Sequence, residues 1–382
     1  MSSFPVIEWT EDGEPRSARW HSESGTLPPK RVTIADDRTT ADTAFRLASE
    51  GTALLWRGDF QNARQLLQAM ARRIDRKPAR TAGSAEIFPE TFHLYRQAQS
   101  QRARTLGMLL LPFEEDYRMP LRRAPDVQLA CSEAYGPVQD EQGPFVASLR
   151  ELLGLIGAHE WRKKGIAIPA LGANIHPHYG VFAPVRGEYL GLVATAPLPA
   201  GCNLAFDIGT GTGVLAAVLA SRGIARIVAT DQDPRALACA AENMARLGLA
   251  GRVEVVAADL FPVGRAPLIV CNPPWVPARA STSLERAVYD PDSRMLMGFI
   301  KGLAAHLEPG GEGWLVLSDL AEHLGLRTRA QLLAAFDEAG LDVAGRMDGK
   351  PSHPRAMDGD APLRTARAAE VTSLWHLTLR SQ

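Results

Sequence analysis

The sequence predicts an α/β protein whose second half is a doubly wound, mostly parallel sheet, and three observations carry that expectation. From about Leu171 onward, short apolar runs alternate with helical stretches at the spacing of βαβ units. A glycine turn, Gly209, Gly211 and Gly213, joins the first of these runs to a helix. Acidic residues, Asp207, Asp231 and Asp259, then fall at or just past the ends of the first three runs.

The predicted strands are 204–208, 226–230, 253–257, 268–271 and 314–318. The predicted helices between them are 214–221, 234–247 and 295–307. A helix over 330–339 and strands near 341–346 and 373–379 complete the tail. The last two strands are separated by too little helix for a parallel crossover.

The first half has a different texture. Residues 41–77 show three- and four-residue apolar spacing through Phe45, Leu47 and Ala48, then Leu54, Leu55 and Trp56, then Ala63, Leu66, Leu67, Met70 and Ile74. Gly51 and Gly58 break this stretch and Pro78 ends it. Two further helical blocks cover 90–110 and 145–159, while residues 1–40 carry Pro, Gly and charge with little period, as an arm would. A chain of 382 residues has room for two domains. We expect a mainly helical N-terminal domain over 1–165 and the sheet domain over 166–382.

With 42 Lys+Arg against 43 Asp+Glu, no global field draws the chain to nucleic acid or to an anionic membrane. Between Gln61 and Arg123 the count is 12 basic against 6 acidic, with Arg72, Arg73, Arg76, Lys77 and Arg80 at one helix end. That is either a solvated helix face complementing the dipole or a docking surface for RNA or an acidic partner. The four cysteines, Cys131, Cys202, Cys239 and Cys271, form no C-x-x-C and read as buried thiols of a reducing cytosol. No apolar run approaches the ~20 residues of a membrane span, and the start lacks a basic-then-apolar leader. The expectation is a cytoplasmic protein without a membrane partner. His176 and His178 stand close together, but no further His/Cys cluster has ligand spacing, so no metal is expected.

The glycine turn is neither G-x-x-x-x-G-K-[ST] nor G-x-G-x-x-G, which disfavours a phosphate cradle and an NAD-dependent enzyme. Asp231, 18 residues after Gly213 at the end of the second strand, is placed to accept hydrogen bonds from a ribose diol. Its plainer role would be a turn residue ahead of the Asp233-Pro234 helix start. Asp259 adds a carboxylate on the same rim, where doubly wound sheets bind ligands. Asn272-Pro273-Pro274-Trp275 follows the fourth strand directly, 59 residues past Gly213. Two prolines stiffen the backbone and hold the Asn272 side chain and the Pro273 carbonyl in fixed directions. Both present acceptor oxygens to a planar nitrogen that carries hydrogens, and Trp275 offers a flat face for stacking.

D-I-G-T-G-T-G, T-D, A-D-L-F and N-P-P-W, in this order, resemble the class I S-adenosylmethionine-dependent methyltransferases. The resemblance covers a little over half the chain, from about Pro177. It implies a Rossmann-like, seven-stranded, mostly parallel sheet with an antiparallel C-terminal strand. It implies S-adenosyl-L-methionine as cofactor, with Asp207, Gly209, Thr210, Gly211 and Gly213 along the methionine part. Asp231 would hold the ribose hydroxyls and Asp259 would meet the adenine amino group, with Leu260 beside the ring; Gln232 and Asn272 would also be cofactor-binding. Phe182 and Pro184, in the segment 175–188, would pack over the cofactor and Tyr179 would border the substrate. The alternative is that this segment only packs on the sheet as a linker.

An N-P-P-aromatic motif resembles the HemK-like, methyltransferase small domain group, which methylates planar or amide nitrogen. That group includes the glutamine-amide methyltransferases of release factors, related ribosomal-protein enzymes, and enzymes acting on exocyclic amino groups of bases in RNA or DNA. Asn272, Pro273, Pro274 and Trp275 would be the catalytic set, acting by positioning and charge stabilisation. The usual fourth residue is Tyr or Phe. Trp275 keeps the stacking face and changes the pocket. The stretch 283–292 is similar to the loop that follows this motif in the group and would act as a lid. The expectation is an N-methyltransferase with a protein or RNA substrate held by the N-terminal domain. The alternatives are an inactive scaffold of the same fold and a small-molecule methyltransferase.

Overall fold

The computed structural model describes residues 5–75, 89–138, 143–185, 187–278, 288–350 and 361–380. The chain divides into two compact units, Met1–Ala85 with His93–Glu160, and Glu86–Phe92 with Trp161–Gln382. The elements of the first half are β1 (Val6–Glu11), β2 (Glu14–Trp20), β3 (Arg31–Ala35), α1 (Ala41–Ser49), β4 (Thr52–Trp56), α2 (Phe60–Asp75), α3 (Pro89–Gly107), β5 (Leu109–Phe113), α4 (Gln128–Tyr135), β6 (Phe145–Ser148) and α5 (Leu149–Lys164).

The first unit is not mainly helical. Its six strands form one sheet in the order β1-β2-β6-β5-β4-β3. The 41–77 stretch expected as helices contains β4, and the predicted helix over 145–159 begins instead as β6. The reason is physical. Leu54, Leu55 and Trp56 of β4 are essentially inaccessible, as is every residue of β5, so both faces of these strands are covered. A fully buried strand shows no two-residue alternation, and a short apolar run then matches helical spacing equally well. The expected arm is also ordered. β1 and β2 form an antiparallel hairpin, Val6 opposite Arg19 through Glu11 opposite Glu14. Asp12 and Gly13 close it, both at positive φ, the turn an Asp-Gly pair favours.

Five of the twelve basic residues between Gln61 and Arg123 pair with a carboxylate of this unit, two of them, Arg102 and Arg118, with acids of the same stretch. Arg73 pairs with Asp42, Arg102 with Asp75, Arg118 with Asp116, Arg122 with Asp37 and Arg123 with Asp59. Arg76, Lys77 and Arg80 lie outside the described residues.

The second unit comprises β7 (Ile166–Ile168), β8 (Ala173–Ile175), α6 (Glu188–Thr195), β9 (Leu204–Ile208), α7 (Val214–Ser221), β10 (Arg226–Asp231), α8 (Pro234–Arg246), β11 (Val253–Ala257), β12 (Ala266–Cys271), α9 (Arg294–His306), β13 (Leu307–Ser318), α10 (Leu320–His323), α11 (Arg329–Glu338), β14 (Leu341–Gly349), α12 (Ala361–Ala369) and β15 (Thr372–Leu379). β7 and β8 pair with each other, and the rest form a seven-stranded sheet in the order β11-β10-β9-β12-β13-β15-β14. The first five are parallel to one another. β15 inserts antiparallel to both β13 and β14. This is the expected mostly parallel sheet with an antiparallel C-terminal strand.

Alternate strand residues feed two cores. Ala205, Ile227, Ala229, Leu268, Val270 and Trp314 face α6 and α7. Phe206, Val228, Ile269, Cys271 and Leu315 face α9 and α11. α7, V-L-A-A-V-L-A-S, is apolar all round and buried at seven of eight positions, because it lies between the sheet and α6. Cα register puts Ile208 level with Thr230 on one side and with Cys271 on the other. The loops after β9, β10 and β12 therefore emerge at one rim.

Phe299 of α9 is fully buried against the sheet. Phe299→Ala is expected to destabilise the second unit by about 3–5 kcal/mol. Denaturant unfolding of the full chain checks this through a lowered midpoint.

Candidate active site

Asp207, the fourth residue of β9, is completely buried. Its Oδ2 accepts hydrogen bonds from Thr210 Oγ1 at 2.6 Å and from the Ala216 N–H at 3.1 Å. Ala216 lies in the first turn of α7, whose N-cap, Gly213, has no side chain to offer, so the carboxylate of Asp207 caps the helix from the strand. Oδ1 is buried and has no hydrogen-bond partner. Burial pushes the Asp207 carboxyl up to about 6, against the two hydrogen bonds, and the nearby Asp231 charge adds to the rise.

The three glycines of the turn all have positive φ but face different surroundings. Met295 of α9 packs where a Cβ on Gly209 would stand, and Met244 and Ala240 of α8 crowd that position on Gly213. Gly211, at φ +54°, has open space there. Gly211 is thus the point where a ligand can approach the backbone. An open glycine cradle beside an unpaired buried carboxylate oxygen fits a ligand carrying a cationic, hydrogen-donating group.

Asp231 ends β10 and ties the next loop to this turn. Its Oδ2 accepts from the Gly211 N–H and its Oδ1 from the Asp233 N–H, each at 3.0 Å. A carboxylate has about four acceptor sites, so capacity remains for a diol. Burial raises this carboxyl too, opposed by the backbone hydrogen bonds it accepts. Asp233 caps α8 by accepting from the Arg235 N–H, and Gln232 lies exposed on the turn between. Next along the rim, Thr230 Oγ1 donates to the Leu260 carbonyl at 2.6 Å. This holds Leu260 at φ +71° with its side chain over Gly298 of α9, where a Cβ would come within 2.6 Å of it. Asp259 is exposed and pairs with Arg294 at 3.4 Å.

Asn272, Pro273, Pro274 and Trp275 leave β12 at the same rim. Pro273 is buried and Asn272 half-buried. The Trp275 indole N–H donates to Asn272 Oδ1 at 2.9 Å, and its ring packs against both cores of the sheet. The sequence foresaw Trp275 as a flat face. Its hydrogen bond to the neighbouring amide is a finding of the structure. Beyond it, Asp290 accepts from the Met295 and Leu296 N–H groups and starts α9, while residues 283–287, half of the expected lid, lie outside the described residues.

The segment ahead of β9 runs along α8. The His176 N–H donates to Asn243 Oδ1 at 2.8 Å, and Asn243 Nδ2 donates to the Thr212 carbonyl of the glycine turn at 3.0 Å. His176 Nδ1 lies 2.6 Å from the Arg162 carbonyl, and His178 Nε2 lies 2.7 Å from Glu242. Both imidazoles thus have structural partners. No group of three or more His, Cys, Asp or Glu that could hold a metal ion occurs among the described residues. Within this segment Phe182 is half-buried and Pro184 buried. Tyr179 has the Arg235 guanidinium over its ring at 5.7 Å. The structure therefore brings Asp207, the glycines, Asp231, Leu260 and the Asn272 loop to one rim, with Asp259 exposed at its edge. Two residues of this neighbourhood escaped the sequence reading. Asn243 sits inside an ordinary helical pattern, and its burial is a tertiary fact. Glu188 closes the quoted segment and carries a buried, unpartnered carboxylate.

Residues 175–339 match the family described as methyltransferase small domain. The match lies within the second unit, whose seven-stranded, mostly parallel sheet with an antiparallel C-terminal strand is the one the resemblance implied. The chain is 36% identical over 179 residues to a release factor glutamine methyltransferase of Cereibacter sphaeroides, covering 43% of this chain and 63% of that protein. It is 33% identical to a ribosomal protein L11 methyltransferase of Sorangium cellulosum, over 50% of this chain and 61% of the relative. It is 32% identical to a tRNA1(Val) (adenine(37)-N6)-methyltransferase of Bacteroides fragilis, over 37% of this chain and 66% of the relative. The chain spans somewhat under two thirds of the length of these curated relatives.

The raised Asp207 carboxyl has a consequence for stability. Below about pH 3.8 it is protonated folded and unfolded alike; from there to about pH 6 the unfolded carboxyl ionises first, so stability falls as pH rises. Above pH 6 the loss is complete, on the order of 3 kcal/mol. Asp207→Asn is expected to flatten this slope, measured as unfolding midpoints at pH 4 and pH 7.

Proposed function

We propose that this protein is an S-adenosylmethionine-dependent methyltransferase that modifies a planar or amide nitrogen of a macromolecule. The observation that carries this reading is the position of Asn272-Pro273-Pro274-Trp275. It leaves β12, the immediate neighbour of β9, at the rim where Asp207, Gly211 and Asp231 converge. The glycine turn would hold the amino-acid part of the cofactor, Asp231 the ribose, and Leu260 with Asp259 the adenine. S-adenosylmethionine, when bound, supplies a methyl group on sulfonium sulfur, already electrophilic.

The remaining chemistry belongs to the chain. Asn272 Oδ1 and the Pro273 carbonyl accept hydrogen bonds from the target NH₂ and turn its lone pair toward the incoming methyl. Because Trp275 already donates to Oδ1, the amide is held with its oxygen on the accepting side, and one lone pair remains for the target. The reaction is driven by positioning. No base is required, because the nitrogen sheds its proton readily once methylated.

The named activities of the relatives, on a release factor glutamine and on a tRNA adenine, are both transfers to such a nitrogen. The first unit, with its own sheet, would hold the substrate, which is a protein or an RNA. Five arginines of that unit are engaged in ion pairs, which weakens the charge argument for RNA. The four free cysteines agree with a cytoplasmic protein. No described helix is long and apolar enough to cross a membrane.

Transfer of tritiated methyl from S-adenosylmethionine into fractionated cell extract tests the reading. Label is expected in protein or RNA. Asn272→Ala should bind S-adenosylhomocysteine normally while incorporation falls by about 100-fold or more. Failure of the folded wild type to bind S-adenosylhomocysteine in calorimetry would overturn the reading.

A further inference from the structure

Arg327 is the only buried arginine among the described residues, at 5% exposure, and its Nε and Nη2 have no hydrogen-bond partner. Elsewhere in the chain this edge of the guanidinium is the one that chelates carboxylates. Arg57 grips Glu11 and Arg102 grips Asp75 through Nε and Nη2 together, at 2.7–3.1 Å. Burial lowers the Arg327 pKa, and the charges of Glu322, Arg329 and Asp290 act on it as well, although none of the three bonds to these nitrogens. A charged group withdrawn from water without a partner is costly, and native structures retain one where a ligand or a function uses it.

Its place in the fold points to the methyl acceptor rather than to the cofactor. β13 is the parallel neighbour of β12, with Leu315 level with Cys271, so the segment after Ser318 leaves the sheet beside the Asn272 loop. Asp207, Asp231 and Asp259 lie on or just past β9, β10 and β11, on the other side of β12. Asp290, whose charge reaches Arg327, is joined to the end of the Asn272 loop, its N–H donating to the Val276 carbonyl at 2.9 Å.

The segment that carries Arg327 is pinned along its length. The Asp319 N–H donates to the Val371 carbonyl at 3.1 Å, and Asp319 Oδ1 accepts from the Val371 N–H at 2.7 Å. The Leu326 and Arg327 N–H groups donate to the Ala321 carbonyl at 2.9 and 3.3 Å. Thr328 and Gln331 then form the capping box of α11. The guanidinium thus stands on a backbone that is set before a ligand arrives.

A planar donor edge with one positive charge matches a carboxylate or a phosphate. The surroundings favour a single carboxylate. Arg294 and Arg329, at the same end of the sheet, are already paired with Asp259 and Glu322, so they offer no row of free cations to a nucleic-acid strand. Successive phosphates would instead meet the acids Asp259, Asp290 and Asp319. We propose that Arg327 binds a side-chain carboxylate of a protein acceptor, beside the residue whose nitrogen is methylated. The assignment rests on the methyltransferase reading and narrows its substrate to a protein with an acidic residue near the target amide.

The test is calorimetry on the full chain, first with S-adenosylhomocysteine and then, with that ligand bound, with two peptide pools. Both pools hold a central glutamine in otherwise random sequence; one has Asp and Glu at the flanking positions, the other Asn and Gln. Wild type is expected to bind the acidic pool about tenfold or more tighter than the neutral one. Arg327→Gln is expected to erase that difference and to bind S-adenosylhomocysteine as wild type does. Removing an unpaired buried charge should also leave the ligand-free variant melting at the same or a higher temperature. Equal binding of the two pools by wild type, or a difference that survives in Arg327→Gln, overturns the assignment. A lower melting temperature of the ligand-free variant overturns it too, because Arg327 would then be holding the fold. A single-stranded RNA oligonucleotide that binds wild type tighter than either pool, and is weakened by Arg327→Gln, overturns it in favour of a phosphate. Wild type that does not bind S-adenosylhomocysteine overturns the methyltransferase reading, and this assignment with it, before any peptide is added.

Discussion

The geometry of the rim depends on one buried carboxylate. Asp207 sits inside the sheet one residue before the end of β9 and satisfies the first turn of α7 through Ala216, while Thr210 is bonded to the same oxygen. Strand, glycine turn and helix are thereby closed into one unit by two charge-assisted hydrogen bonds. The turn then fixes its neighbours. The Gly211 N–H holds Asp231, the Thr210 N–H bonds the Thr230 carbonyl, and the Thr230 hydroxyl holds Leu260. Three successive strand ends are linked by hydrogen bonds rather than by apolar packing. A ligand that reads these loops meets acceptors and amides whose positions are set before it arrives.

The same carboxylate is a source of instability. Burial disfavours its ionised form, and Asp231 beside it has the same sign. Glu188, at the start of α6, carries further buried oxygens without a partner. A site built from buried like charges stabilises a cation more than it stabilises the empty protein. S-adenosylmethionine carries two cationic groups, so this arrangement suits the cofactor proposed for the site. Functional sites commonly hold such locally unfavourable groups, whose cost is borne by the packed cores around them.

Trp275 illustrates how a single replacement alters a motif without removing its chemistry. A Tyr or Phe ring in this place presents a stacking face. The indole adds an N–H directed at Asn272 Oδ1. Turning the amide over would set its NH₂ against the indole N–H, two donors facing each other, so the oxygen stays on the accepting side. Motif comparison alone treats this position as an aromatic substitution; the hydrogen bond depends on where the indole nitrogen falls in the packed loop.

The sequence by itself determined the second half of this protein. Alternating apolar runs, Gly-x-Gly-x-Gly spacing and an acid at each early strand end are local features, and each survives unchanged in the folded chain because the parallel sheet aligns strand ends automatically. It did not determine the first half. β4 and β5 are buried on both faces and lose the alternation that distinguishes strand from helix, and only their pairing partners, distant in sequence, decide between them. The tertiary structure alone decided the burial of Asn243 and of the Glu188 carboxylate. Their signal is burial without a matching local pattern, and burial is a property of what packs on a residue rather than of its neighbours in the chain.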